Sequence, residues 1–202
     1  MAKTIVPRSA IVLYYLVYVF HRLFNRPLDS RKKLQKLLFL MEHLDLKKNI
    51  ITKSQKLTGY EFKIWLYGPF SEKIYDDLKF LVKSKYLGET VVNYEETPLL
   101  PAEDIVLSGY DDDGEPRKIF YYVPLMEVNK FIEFMRTRDH LKKKVEIIVK
   151  NFGSKKPCEI EAIVNAMLKL TPLRKLEFWG LTVDEYLEKA ANISKQKTDT
   201  SN

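Results

Sequence analysis

From Ala10 to Phe20 the chain reads Ala-Ile-Val-Leu-Tyr-Tyr-Leu-Val-Tyr-Val-Phe, an unbroken apolar run with Arg8 before it and His21-Arg22 after it. A membrane-spanning helix needs about 20 such residues, and the flanking charges stop the run from being extended. A secretory leader would place a small-residue cleavage site after an apolar stretch of this length, whereas Arg22, Arg26 and a basic segment follow here. The solution that remains is a helix, from about Ser9 to Phe24, enclosed by protein on most sides. A helix that must be wrapped needs partners, and the chain can supply them. Its 202 residues, 46% of them apolar, suffice to bury roughly 70% of the unfolded surface. The expectation is one compact protein with no membrane segment, in the cytoplasm. The single cysteine, Cys158, agrees with a reducing compartment and excludes an internal disulfide framework.

The wrapping elements follow from spacing and punctuation. Asn25-Arg26-Pro27 ends the first helix. Ser30 caps a second, Arg31 to about Leu44, whose Leu34, Leu37, Leu38, Met41 and Leu44 form one stripe. Residues 45–58 read as a polar, Lys-rich connection. Tyr60–Tyr67 alternates as a strand, with Tyr60, Phe62, Ile64 and Leu66 on one face, until Gly68-Pro69 breaks it. Ser71 caps a third helix, Glu72 to about Tyr86, striped by Ile74, Leu78, Leu81 and Val82 and stopped by Leu87-Gly88. Thr90–Tyr94 reads as a strand. Ile105–Tyr110 and Lys118–Val123 read as a hairpin around the acidic stretch Asp111–Pro116. Helices follow over Leu125–Arg136, Asp139–Asn151, Pro157 to about Leu170, and Pro172 to Trp179-Gly180. The last opens on the capping box Thr182-Val183-Asp184-Glu185. The fold class expected is α+β and mostly α-helical. A winged-helix-like core with a small antiparallel β element occupies residues 1–123. Helices of 124–194 pack on it or form a homodimer interface, and 195–202 is a disordered tail.

The charge is unevenly spread. Residues 1–70 carry 13 basic and 4 acidic side chains, 71–116 carry 4 and 12, and 117–202 carry 17 and 11, for a net +7. A basic body with an acidic insert can meet a polyanion on one face and repel it on another, or the insert can pair internally with the body. Arg31, Lys32, Lys33 and Lys36 stand within two turns of one helix and are the candidate phosphate contacts. Four such contacts imply a salt slope of roughly −3.6 on duplex DNA. Lys142-Lys143-Lys144 reads as a solvated helix face.

Catalytic signatures are missing. There is no G-x-G-x-x-G, no G-x-x-x-x-G-K-[ST], no H-E-x-x-H and no G-x-S-x-G. His21, His43 and His140 lack partners at ligand spacing. Asp111, Asp112 and Asp113 lack the remaining ligands of an EF-hand, and Cys158 at a helix start has no triad partner in view. The expectation is a chain that is not an enzyme and takes no cofactor or metal.

Two segments carry a resemblance. Lys33-Leu34-Gln35-Lys36-Leu37-Leu38-Phe39-Leu40 lies on the second helix. About 20 residues later comes Tyr60–Tyr75, containing Tyr67-Gly68-Pro69 and Ile74-Tyr75. In this order they resemble the Panacea-domain family, also described as SocA-like phage-associated proteins, and the related YwgA-like proteins, over about residues 8–90. There an LQKLLY helix precedes an aromatic strand ending in YGP and a helix with a VY or IY pair. The segment around 95–116 and the helices beyond Val123 match nothing diagnostic of the family. The resemblance implies a mostly helical domain without established catalytic residues, and for some members an antitoxin-like or adaptor role exercised by binding a protein toxin.

Two functional readings result. In the first the chain is a non-catalytic binding protein that engages a protein partner, such as a toxin, at Gln35, Tyr67, Gly68, Pro69 and Phe70. Gln35 then either presents a polar group in a groove or bonds to backbone. In the second it is a winged-helix-type DNA-binding regulator using Arg31, Lys32, Lys33 and Lys36, with 104–123 as a wing whose acidic tip phosphate would repel.

Overall fold

The computed structural model describes residues 6–93 and 118–199. The apolar run forms helix α1 (Arg8–Phe24), and Ser9 through Phe20 are all buried. It ends where Asn25 turns left-handed (φ 49°) and its N–H bonds the His21 carbonyl, as a helix stop requires. Among the described residues no helix is long and apolar enough to cross a membrane.

Strand β1 (Leu28–Asp29) leads into helix α2 (Arg31–His43), where the Ser30 hydroxyl accepts the Lys32 N–H as expected of a cap. Short strands β2 (Leu44–Asp45) and β3 (Ile50–Ile51) pair within the connection that the sequence left irregular. The alternating segment is shorter as a strand than its pattern suggests. Strands β4 (Lys63–Trp65) and β5 (Gly68–Phe70) form a two-residue hairpin whose turn is Leu66-Tyr67. Tyr60, Phe62 and Ile64 face the core as expected, but Leu66 is 50% exposed because the chain is already turning there. Gly68-Pro69 therefore pairs with the strand instead of terminating it. Gly68 adopts φ 86°, and a Cβ there would collide with Asn165 Oδ1, so only glycine fits. Pro69 sits opposite Ile64, whose N–H and C=O turn outward to Leu181 and Gly180. The missing proline N–H is thus never needed.

Helix α3 (Lys73–Lys83) lacks the expected Ser71 side-chain cap, with Glu72 at the cap position. Ile74, Leu78 and Leu81 are its buried stripe. Strand β6 (Leu87–Asn93) begins where a helix stop was expected at Leu87-Gly88, and pairs antiparallel with β7 (Lys118–Pro124) over seven residues. The partner of β7 along its length is thus β6, where the sequence pattern pointed to Ile105–Tyr110, which lies outside the described residues. On its other edge β7 takes β1, giving the sheet order β1-β7-β6. Helices α4 (Asn129–Arg136), α5 (Asp139–Phe152), α6 (Pro157–Met167), α7 (Pro172–Glu177) and α8 (Val183–Asp199) follow. The Thr182/Glu185 capping box forms as expected, and α8 continues past Lys195 to Asp199.

Two helices lie at the centre. α1 packs on α3, α4, α5 and β7, while α2 packs on α5, α6, β5 and β1. The chain is therefore mostly helical with small antiparallel sheets, as its pattern indicated.

Candidate functional site

The two motif segments are one structural unit. Gln35 is buried and exchanges two hydrogen bonds with the Ser71 backbone, its Nε2 donating to Ser71 O (2.9 Å) and its Oε1 accepting Ser71 N–H (3.1 Å). Its neighbour Lys36 is only 2% exposed and donates Nζ–H to the Pro69 carbonyl at 2.8 Å. Consecutive side chains of α2 thus hold the strand and turn that follow Tyr67. A buried amide and ammonium persist only with such partners. Of the two readings of Gln35, this geometry matches the backbone-bonded one, and it locks the Tyr67–Phe70 turn to α2.

The four cations expected on a phosphate-facing patch do not share a solvent-facing surface. Lys33 is 1% exposed and bonds Asp29 at 2.6 Å; burial lowers its pKa against the pull of that carboxylate. Lys36 is directed at Pro69. The physical reason is that α2 is enclosed on every side, so long aliphatic stems run through apolar packing and only their heads find polar partners. Lys32 and Arg31 are part-exposed and meet aromatic rings. Lys32 Nζ lies 4.3 Å from the Tyr67 ring centroid and 2.9 Å from Glu161. The Arg31 guanidinium stacks 3.5 Å from the Phe120 centroid, its Nε donates to the Tyr122 hydroxyl (2.9 Å), and Glu89 accepts from both groups. Burial and the Glu89 contact hold the Tyr122 hydroxyl well above the usual phenol range.

A pocket opens between these groups. Arg31, Lys32 and Lys36 line one side, the hairpin side chains Trp65, Tyr67 and Phe70 a second, and Tyr75, Lys118 and Phe120 the remainder. Phe70 meets Tyr75 edge-on at 5.5 Å, and Trp65 stacks on Phe70 at 6.2 Å. Of the predicted partner-binding residues, Gln35, Tyr67, Gly68 and Phe70 lie here, while Pro69 is buried behind them. Trp65, Tyr75, Lys118 and Phe120 were missed. Trp65 and Tyr67 alternate with the core-facing residues of the hairpin, so an outward aromatic pair was the available signal.

The other candidates lie apart. Asp111–Asp113 fall outside the described residues. His21 bonds the Arg26 carbonyl, and His43 is buried with Nδ1 directed at Thr52 O, its pKa lowered by burial. Cys158 is a partly exposed free thiol on α6. Of the lysine run, Lys142 and Lys143 pair with Glu146 and Asp139 along α5. Lys144 corrects the expectation of a solvated face. It is buried, bonded to Gln55 at 2.9 Å, and pushed down to about 8 by burial. Beside it on α2, the buried Glu42 carboxylate accepts from Ser54 Oγ, Leu57 N–H, Thr58 N–H and Thr58 Oγ1. Among the described residues no group of three His, Cys, Asp or Glu side chains is placed to hold a metal ion.

The family description "antitoxin SocA-like, Panacea domain" matches residues 34–167. The chain belongs to this family. The matched region begins at Leu34 of the α2 motif, leaves α1 outside, and runs through β7 to the end of α6. Helices α4, α5 and α6, in which no diagnostic pattern was visible, are therefore part of the matched domain, while α7 and α8 lie beyond it. This agrees with α5 and α6 packing directly on α2. No curated protein and no solved structure matches the chain.

Proposed function

We propose that the chain is a non-catalytic, antitoxin-like binding protein that engages a protein partner, such as a toxin, at the Tyr67–Phe70 turn and the pocket beside it. Membership of the antitoxin SocA-like Panacea-domain family carries this reading. The chemistry of the pocket supports it. Its walls include the aromatic side chains Trp65, Tyr67 and Phe70 and the guanidinium of Arg31, the residue types that anchor protein interfaces. Its amide, Gln35, is already committed to the Ser71 backbone. The turn is held from behind by Gln35 and Lys36, so a partner would meet a preformed surface and little ordering cost would oppose binding.

The alternative is a winged-helix-type DNA-binding protein. It is favoured by the order α1, β1, α2, α3, β6, β7 and by the sheet order β1-β7-β6. Against it, Lys33 and Lys36 point inward, and the segment between β6 and β7 is rich in Asp and Glu, which phosphate repels.

Co-expression with the product of the adjoining gene is the test. The proposal expects that product to arrest growth, this chain to relieve the arrest, and a Tyr67→Ala/Phe70→Ala variant of unchanged helicity to relieve it poorly. Absence of relief, together with salt-sensitive binding of labelled duplex DNA that Arg31→Ala/Lys32→Ala weakens, would replace it with the DNA reading.

A further inference from the structure

The unbroken burial of α1 ends at Phe20, and a second concave surface opens beside its last turns. Tyr15, Tyr18, Val19, Arg22 and Leu23 follow the spacing of one side of α1, and Lys143, Glu146, Ile147 and Lys150 follow that of one side of α5. The two sides line a trough between the helices, and none of their residues belongs to the pocket beside the hairpin. The helices run parallel. The Tyr15 hydroxyl donates to Glu146 (3.3 Å), and further along both helices a Cβ on Gly153 would meet the Phe24 ring. Arg22 and Lys150 therefore stand toward the same, C-terminal end. The floor between them is apolar and uncovered, with Leu23 52% and Ile147 41% exposed. The space amounts to about 470 Å³. Small-molecule sites occupy roughly 300–1,000 Å³ and combine mostly apolar walls with a few placed polar groups.

The polar groups set the sign of what fits. Lys143 pairs with Asp139 (2.6 Å), and Glu146 is engaged by Lys142 and the Tyr15 hydroxyl. Burial and Glu146 push that hydroxyl up to about 12, so it stays protonated and keeps donating to the carboxylate. Arg22 and Lys150 are not matched in this way. Arg22 donates to the Tyr18 hydroxyl at 3.4 Å and lies 5.7 Å from that ring, and Glu127 acts on it only through space. Lys150 makes no hydrogen bond or ion pair among the described residues. We propose that the trough binds a small amphipathic anion, its apolar chain lying on Tyr18, Val19, Leu23 and Ile147 and its single carboxylate held between Arg22 and Lys150. Two cations at one end of an apolar channel suit one acid group at the end of one tail. A cationic amphiphile would be repelled there. From Tyr15 to Leu23 the trough runs about 12 Å at about 1.5 Å per residue, a reach that one medium-length acyl chain covers. The site is independent of the partner-binding reading. Its α1 wall precedes the matched residues 34–167, and its α5 wall lies within them.

The experiment titrates decanoate, kept below the concentration at which it forms micelles, into the full chain by calorimetry. Decyltrimethylammonium supplies the same chain with the opposite charge, and acetate supplies the carboxylate without the chain. Decanoate is expected to bind once per chain, and neither control is expected to bind at the same concentrations. Two variants altered only at exposed positions, Arg22→Gln/Lys150→Gln and Leu23→Gln/Ile147→Gln, should melt like wild type. Each should weaken decanoate binding at least about tenfold, the first through lost charged hydrogen bonds and the second through lost apolar contact. Equal binding of the cationic amphiphile, or unchanged decanoate affinity in both variants, overturns the proposal, because the anion would then be adsorbing to apolar surface at large. Sedimentation of the chain with phosphatidylglycerol vesicles, without binding of free decanoate, overturns it in favour of a membrane headgroup. A dimer that Leu23→Gln/Ile147→Gln converts to monomer, again without decanoate binding, overturns it in favour of a second copy seated in the trough.

Discussion

Helices α1 and α2 are both enclosed, but they are buried by different chemistry. α1 hides twelve residues, of which only Ser9 is neither aliphatic nor aromatic. α2 hides eleven, and they include Lys33, Gln35, Lys36, Glu42 and His43. The first is held by apolar area removed from water, which is non-directional and tolerates exchange of one shape for a similar one. The second is held by groups that each need one partner in one place: Asp29, the Ser71 backbone, Pro69 O, the 54–58 loop and Thr52 O. An unpaired member of that set would cost more than its bond contributes. The comparison teaches that α1 is a solvent-excluding body of the domain, while α2 sets where the β4–β5 hairpin and the neighbouring loops sit.

The largest effect should come from Glu42→Ala. It leaves Ser54, Leu57 and two Thr58 donors without their acceptor, and unsatisfied partners of a buried charge place the loss at about 3–5 kcal/mol. Urea unfolding would register it as a lower midpoint. Acid should act in the same direction. The hydrogen bonds hold the Glu42 carboxyl below its ordinary value despite burial. Its contribution is therefore present above the unfolded value, about 4.3, and lost as pH falls through the lower folded value. A wild-type stability curve that loses this acid limb in Glu42→Ala checks the sign; superimposable curves would show the carboxylate to be energetically idle.

Next comes Gln35→Glu, which keeps shape and volume but changes a donor into an acceptor. The new carboxylate faces Ser71 O, where Nε2 donated, and a loss of about 2–3 kcal/mol is expected from one unsatisfied carbonyl and a buried charge. Amide exchange at Ser71 should accelerate, which separates a released hairpin from general destabilisation.

These two positions also show how much the sequence disclosed. α1 was legible because an apolar run needs no partner to be interpreted; its bounds and burial follow from the run and from Asn25. The stripe of α2 was legible for the same reason at Leu34, Leu37, Leu38 and Met41, all fully buried. Burial of Lys33, Lys36 and Lys144 was not, because a lysine's pattern position gives no hint that packing will enclose its stem, or that a carboxylate four residues back, or a carbonyl or a glutamine tens of residues away, will meet its head. Asp29, Pro69 and Gln55 supply those partners. The motif pair around Gln35 and Tyr67-Gly68-Pro69 was visible as a resemblance, while its cause, one segment grasping the backbone of the other, needed three dimensions. The Trp65 wall was hidden because attention to a strand's inner face passes over its outer one.

A small effect is expected from Leu13→Met in α1. Leu13 is fully buried, yet a flexible side chain of similar volume should cost less than about 1.5 kcal/mol. Leu13→Ala at the same place should cost about 2–5 kcal/mol through the cavity it opens. A loss from the methionine exchange as large as that from Gln35→Glu would erase the contrast between the two helices, since shape would then be specified as tightly in α1 as polarity is in α2.

The smallest effect at neutral pH belongs to Lys144→Met. Burial pushes the Lys144 ammonium down to about 8, while nearby Glu42 and Asp45 favour its charge. A base lowered in the folded state binds fewer protons there than in the unfolded chain, so its charge opposes folding below pH 8. That opposition is relieved as pH rises from about 8 toward the unfolded value near 10.4. Methionine fills the same space without the charge and leaves one amide oxygen, on the exposed Gln55, able to take water. At pH 7 the two changes should nearly cancel, within about 1 kcal/mol. The diagnostic lies in the slope. Wild type should gain stability relative to Lys144→Met between pH 8 and 10, a range below that in which Tyr14, Tyr15, Tyr60 and Tyr122 titrate, since burial raises each of them. If the two curves stay parallel there, the ammonium is solvated, and α5 joins α1 as a helix held by area alone.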